Sequence, residues 1–250
     1  MSTRTFAVWR GAGEEGALVE YDVETEEGMV VLDAMREIQR WQAEDLAIRW
    51  NCKAAKCGSC SAEVNGKPCL MCKTRLDELP EGEVIRVEPM RAFPVIRDLV
   101  TDVSWNYEVN KRIPPFTPAP DTEWLIAQED VDRMSEFRKC IECFLCQDVC
   151  HVLRDHDMKS NYFGPRFMVR IAALEMHPLD RADRVELLAG QAGIGLCNIT
   201  KCCTEVCPEG IHITDNAIIP LKERVVDRYY DPLPMLGRRL AGRRRKDGPV

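Results

Sequence analysis

The chain has 250 residues, enough for two hydrophobic cores, and 45% apolar with 30% charged residues excludes a disordered or fibrous chain. No stretch approaches the roughly 18 unbroken apolar residues of a membrane span; even Leu187–Cys197 is interrupted by Gln191 and three glycines. The formal net charge of −7 is unevenly spread, with +5 on residues 238–250 and −12 on residues 1–237, which speaks against a nucleic-acid partner. The basic tail (Arg238, Arg239, Arg243, Arg244, Arg245, Lys246) suits an acidic subunit or anionic headgroups, with a solvated end as the alternative.

In chain order, the first residues lack an apolar export core and run into Glu14 and Glu15, so a cytoplasmic chain is expected. Alternation at Val19, Tyr21 and Val23 and the run Val84–Val87 predict strands, with Asn65-Gly66 as a hairpin turn. Val31, Met35, Ile38 and Trp41 lie at helical spacing and predict an amphipathic helix packed on those strands. Pro114, Pro115, Pro118 and Pro120 stiffen the backbone and remove amide donors, so residues 113–121 are taken as a linker between units at 1–112 and 122–250. Beyond it the expected elements are helices at Phe167–Met176, Arg181–Ala189 and Thr214–Tyr230, with Thr214 as cap and Pro220 forcing a kink or a later start. The fold class expected is α+β: a small mixed unit followed by an all-α one.

Thirteen cysteines are the outlier. Their odd number in a long chain without an export signal disfavours a disulfide framework and points to metal. Cys52, Cys57 and Cys60 with Cys72 make C-x4-C-x2-C and a distant fourth thiol, the plant-type spacing for a 2Fe-2S cluster. Gly58 lets the backbone approach the sulfides. Cys69 also lies near, and spacing alone does not exclude it in place of Cys72; a structural zinc prefers paired C-x2-C knuckles. Cys140, Cys143, Cys146 and Cys150 form the bacterial C-x2-C-x2-C-x3-C run, whose fourth thiolate crosses to a second cluster.

The partner run is Cys197, Cys203 and Cys207-Pro208, with Thr200 where a second cysteine is expected. Crossover then assigns Cys140, Cys143, Cys146 and Cys207 to a 4Fe-4S cluster. Cys150, Cys197 and Cys203 remain, three thiolates that favour a 3Fe-4S cluster. Cys202 is one residue out of register and is expected to point away.

A plant-type 2Fe-2S ferredoxin (β-grasp-like) domain, a Pro-rich linker and a bacterial-ferredoxin-like helical domain with 4Fe-4S and 3Fe-4S sites resemble the iron–sulfur subunit of succinate dehydrogenase and fumarate reductase. Phe93–Val100, Tyr162–Pro165 and Cys207–Ile211 add to the likeness. The resemblance implies electron transfer from FAD in a flavoprotein subunit, through the 2Fe-2S, 4Fe-4S and 3Fe-4S clusters, to quinone at a cytochrome b-type membrane anchor that can carry haem b. It implies a peripheral position at the cytoplasmic face of the membrane and no dicarboxylate site or catalytic residue on this chain.

Alternative readings are the reverse, fumarate-reducing reaction, a soluble polyferredoxin-type carrier and a zinc-stabilised adaptor. Two departures from the ubiquinone-using pattern stand out: Cys150 is followed by His151, Val152 and Leu153 where Pro and Trp are usual, and Asn198 stands where a His is usual. Quinone contacts therefore do not transfer. His151 is read as a hydrogen-bond partner near the last cluster or as an ordinary surface histidine.

Overall fold

The computed structural model describes residues 2–231; the basic tail at 238–250 lies outside them. The chain forms an α+β molecule. A long antiparallel hairpin comes first, β1 (Ser2–Ala12) and β2 (Glu15–Thr25), and its first strand was not among the sequence expectations. Helix α1 (Val31–Trp41) follows, and β3 (Ser61–Val64) and β4 (Lys67–Leu70) then form a tight hairpin. Its turn is the expected Asn65-Gly66, both left-handed at φ 49° and 77° as the two-residue turn demands. Strand β5 (Ile85–Glu88) completes a five-stranded sheet ordered β2-β1-β5-β3-β4, in which β1 and β5 are parallel and the other pairs antiparallel.

Helix α1 buries Val31, Leu32, Ala34, Met35 and Ile38. Trp41, expected on that face, is instead 68% exposed: its indole N–H donates to Glu37 at 2.9 Å and Arg40 stacks over the ring. A small ribbon, β6 (Val95–Arg97) and β7 (Val100–Thr101), leads into α2 (Ser104–Lys111).

Beyond residue 113 the regular elements are helical: α3 (Gln128–Ser135), α4 (Leu145–Asp148), α5 (His151–Arg154), α6 (Pro165–Glu175), α7 (Val185–Ala189), α8 (Cys202–Glu205) and α9 (Ile219–Tyr229). The last helix takes the later start that Pro220 allowed. A wide π-type turn spans Ile213–Ile218, and Pro220 occupies the first turn of α9, where its missing N–H costs nothing. Thr214 is therefore no cap; it is buried against Cys203 and Thr204.

Two apolar cores form. One gathers Phe6, Val8, Leu32, Met35, Ile38 and Ile85, together with Phe144 and Leu145 from the second half. The other gathers Phe163, Phe167, Met168, Leu188 and Ile218, together with Val109 and Ile113. The halves are thus stitched by exchanged side chains. The Pro-rich stretch is fastened by Arg184, fully buried, which donates to the carbonyls of Pro114 (2.9 Å) and Pro115 (2.8 Å) and pairs with Asp180 and Glu175. Among the described residues no helix is long and apolar enough to cross a membrane.

Candidate functional site: three groups of thiols

The first group lies on the loop after α1. Lys53 and Ala55, both left-handed at φ 53°, and Gly58 at φ 69° curl residues 52–60 so that amides turn inward, a nest suited to negative charge. The Cys52 sulfur accepts from the N–H groups of Ala54 and Lys56 at 3.3 Å, the Cys57 sulfur from Cys52 N–H at 3.5 Å, and the Cys60 sulfur from Cys72 N–H at 3.5 Å. Burial opposes ionisation of Cys57, yet Ser59 and the Cys52 N–H bring its thiol down to about 6. Burial pushes the Cys60 thiol up to about 12. Cys69, on β4, is held up by burial, against which Thr74 and Lys67 act. Cys72 thus stands against Cys60 through its own N–H.

Gly58 does more than curl the loop. A Cβ built on it would meet the Cys143 Cα at 2.6 Å, so the backbones of the first two cysteine runs touch here. The Ser61 hydroxyl, which has one proton to share, lies 2.8 Å from the Gly58 carbonyl and 2.9 Å from the Cys143 carbonyl, locking the approach.

The second group, Cys140, Cys143, Cys146 and Cys207, lines one apolar cavity with Ile141, Val169, Ile211 and Ile213. Burial pushes Cys143 up to about 12 and also raises Cys146, well above the ordinary thiol value. In the third group, burial pushes Cys150 up to about 12 and Cys203 to about 11. Tyr162 is fully buried, its hydroxyl has no hydrogen-bond partner among the described residues, and Cys197, Cys150 and Cys203 all act on it electrostatically.

The two later runs repeat one backbone. Left-handed residues stand two and four places after the first cysteine in both, Glu142 and Phe144 after Cys140, and Ile199 and Lys201 after Cys197. A short helix follows each, α4 and α8. Thr200 thereby takes the place that Cys143 takes in the first run. Cys202 does not point away as expected: its sulfur lies 3.3 Å from the Thr200 hydroxyl and acts electrostatically on both Cys150 and Cys203.

These thiols suit clusters better than a single ion. Buried thiolates need a compensating cation. Sulfurs spread around a dry space, an orphaned Tyr162 hydroxyl and inward amides fit a polynuclear iron–sulfide group.

Sequence reasoning missed the polar seam beside the second group. Glu63 is fully buried on β3, 2.8 Å from Arg91 and 3.6 Å from Arg154, and Asp148 accepts from the Ala92 N–H at 2.9 Å. Burial, with the nearby Glu63 charge, pushes the Asp148 carboxyl up to about 7. A glutamate in a strand with Ala62 and Val64 carries no local signal of burial. His151 is half-buried, its Nε2 without a hydrogen-bond partner among the described residues, and its ring lies 6.3 Å from that of His156.

Residues 5–108 match the model of a "2Fe-2S iron-sulfur cluster binding domain", and residues 136–211 that of a "4Fe-4S dicluster domain". The fumarate reductase iron-sulfur subunit of Mycobacterium tuberculosis is 34% identical over 76% of this chain and 79% of its own. The succinate dehydrogenase iron-sulfur subunit of Bacillus subtilis is 29% identical over 78% and 81%. A longer protein, from the CoM/CoB fumarate reductase of Methanothermobacter marburgensis, is 34% identical over 89% of this chain, which spans only 44% of it. Among solved structures, a chain of the Mycobacterium smegmatis Sdh1 complex in the apo form superposes with a TM-score of 0.90 at 60% identity, covering 92% of this chain and 98% of that one. This chain belongs to the family of succinate dehydrogenase and fumarate reductase iron–sulfur subunits.

Proposed function

We propose that the chain is the electron-transfer subunit of a succinate:quinone oxidoreductase, joining an FAD-containing flavoprotein to a quinone-reducing membrane anchor. In this reading Cys52, Cys57, Cys60 and Cys72 hold a 2Fe-2S cluster in a β-grasp-like unit at 1–112. Cys140, Cys143, Cys146 and Cys207 hold a 4Fe-4S cluster, and Cys150, Cys197 and Cys203 a 3Fe-4S cluster, in the helical unit at 122–250. Such clusters supply one-electron redox chemistry when bound. The chain's own residues ligate, exclude water with Ile141, Val169, Ile211 and Ile213, and donate amide hydrogen bonds to sulfur.

The observation that carries the reading is the unbroken line of thiol groups. The first touches the second where Gly58 meets Cys143, and one turn of α4 separates Cys146 from Cys150 of the third. Both ends of the line suit partners. Trp50, 39% exposed beside Cys52, lies under Arg36 and Lys53 at 4.7 and 5.1 Å, an aromatic and cationic patch suited to a protein partner. Leu196 and Ile199 expose apolar surface next to Cys197 in the chain, and Val226 and Tyr229 line a groove with Ile194 and Gly195, which suits the anchor and a peripheral position at the cytoplasmic face of the membrane.

The test is electron paramagnetic resonance of the purified complex during stepwise reduction, with succinate-driven quinone reduction assayed in parallel. Three cluster signals and succinate-dependent turnover are expected. A zinc content without iron, or clusters without a co-purifying flavoprotein, would overturn the reading. Assay with reduced quinone and fumarate reads the direction.

A further inference from the structure

Arg166 belongs to no cysteine motif, yet its side chain lines the cavity shared by Cys140, Cys143, Cys146 and Cys207. It is only 6% exposed, at the start of α6. One arm of the guanidinium is held by the Glu142 carboxylate, which is half exposed to solvent. The Arg166 Nε–H donor is buried with no acceptor among the described residues. A buried donor left unmade is costly, and a buried cation with one half-solvated counter-charge is costlier.

The one carboxylate on the cavity wall, Glu209, is taken up by Lys56 at 3.0 Å, and the other side chains there offer thiols and apolar groups, so an acceptor for this donor comes from the cavity's occupant.

We propose that Arg166 sets the reduction potential of the 4Fe-4S cluster, its guanidinium facing the cluster as a buried cation that favours the more negative, reduced state, with Glu142 tempering that effect. Hydrogen bonds and charge near the sulfurs are the means by which a protein moves such a potential. Glu142 and Arg166 therefore act with opposite signs. The inference rests on the assignment of a 4Fe-4S cluster to this cavity.

The experiment is a potentiometric titration of the intact complex, followed by electron paramagnetic resonance of each cluster. Arg166→Gln should lower the 4Fe-4S midpoint by about tenfold in the reduction equilibrium, about 59 mV for a one-electron couple, and leave the 2Fe-2S midpoint in place. Arg166→Lys should restore part of the loss. Glu142→Gln, a change at a half-exposed side chain, should move the midpoint upward and decides the matter if Arg166→Gln fails to assemble. An unchanged or raised midpoint in Arg166→Gln with full cluster content, or a lowered one in Glu142→Gln, overturns the proposal. Absence of a 4Fe-4S signal from the unaltered complex defeats the cluster assignment itself and this proposal with it.

Discussion

The proposed 3Fe-4S assignment turns on one side chain, Thr200. The repeated backbone puts it opposite Cys143, and a hydroxyl is a poor ligand for soft, sulfide-bridged iron. Thr200→Cys should complete a four-thiolate set and convert the third cluster from 3Fe-4S to 4Fe-4S; loss of the oxidised 3Fe-4S resonance reads this out, and its persistence in a folded, loaded variant counts against the register. Cys202 sits 3.3 Å from Thr200, so Cys202→Ser is the needed control and should leave the third signal in place. The same logic separates Cys69 from Cys72. Cys72 lends its N–H to the Cys60 sulfur, whereas Cys69 on β4 has Thr74, Lys67 and Glu63 as neighbours. Cys72→Ser should abolish the 2Fe-2S signal and Cys69→Ser should keep it; the reverse pattern would show that β4 presents the fourth ligand.

Among elements, the curled loop at 52–60 depends on glycine at one point. An alanine at Gly58 faces a left-handed backbone costing about 1–2 kcal/mol and a Cβ driven to 2.6 Å from Cys143. With overpacking of a further 1–3 kcal/mol, Gly58→Ala should lower the melting temperature by roughly 5–15 °C and slow reduction of the 4Fe-4S cluster after the 2Fe-2S one. A second element clamp is the end of α3. Burial opposes ionisation of Glu136, but the His212 N–H at 2.7 Å and the Asn216 side chain outweigh it and hold the carboxyl below its ordinary 4.5. A depressed folded value means stability that is present above pH 4.5 and lost as pH falls through the folded value. Acid unfolding should therefore flatten below pH 4.5 in Glu136→Gln, which should also be less stable at neutral pH; an unaltered pH profile would remove Glu136 from the account.

For the molecule as a whole, the cysteine loops hold little regular structure of their own, and both cores close onto them through Phe144 and Leu145 on one side and Cys146, Cys150 and Cys203 on the other. Iron should thus be part of the folding free energy. Removing the clusters with chelator and reductant should lower the melting temperature on the order of 10 °C while far-ultraviolet dichroism changes little, because the sheet and α6 keep their own cores. Equal melting of loaded and stripped protein would show that packing alone holds the loops.

Much of this was readable along the chain. Thiolate spacing reports the size and symmetry of the group it wraps, and the period of α1 and the Asn65-Gly66 turn are likewise local geometry. The Thr200 gap belongs with them, since it is visible once two runs are laid in register. What needed the folded molecule are the meetings of residues far apart in sequence. Gly58 against Cys143, Glu63 between Arg91 and Arg154, Arg166 over the thiol cavity and Tyr162 toward the third group come from how two cores are stacked. Local pattern tells which residues prefer burial or ligate metal; it does not tell which buried charge faces which cluster, because that is set by the packing of the sheet and helices against each other.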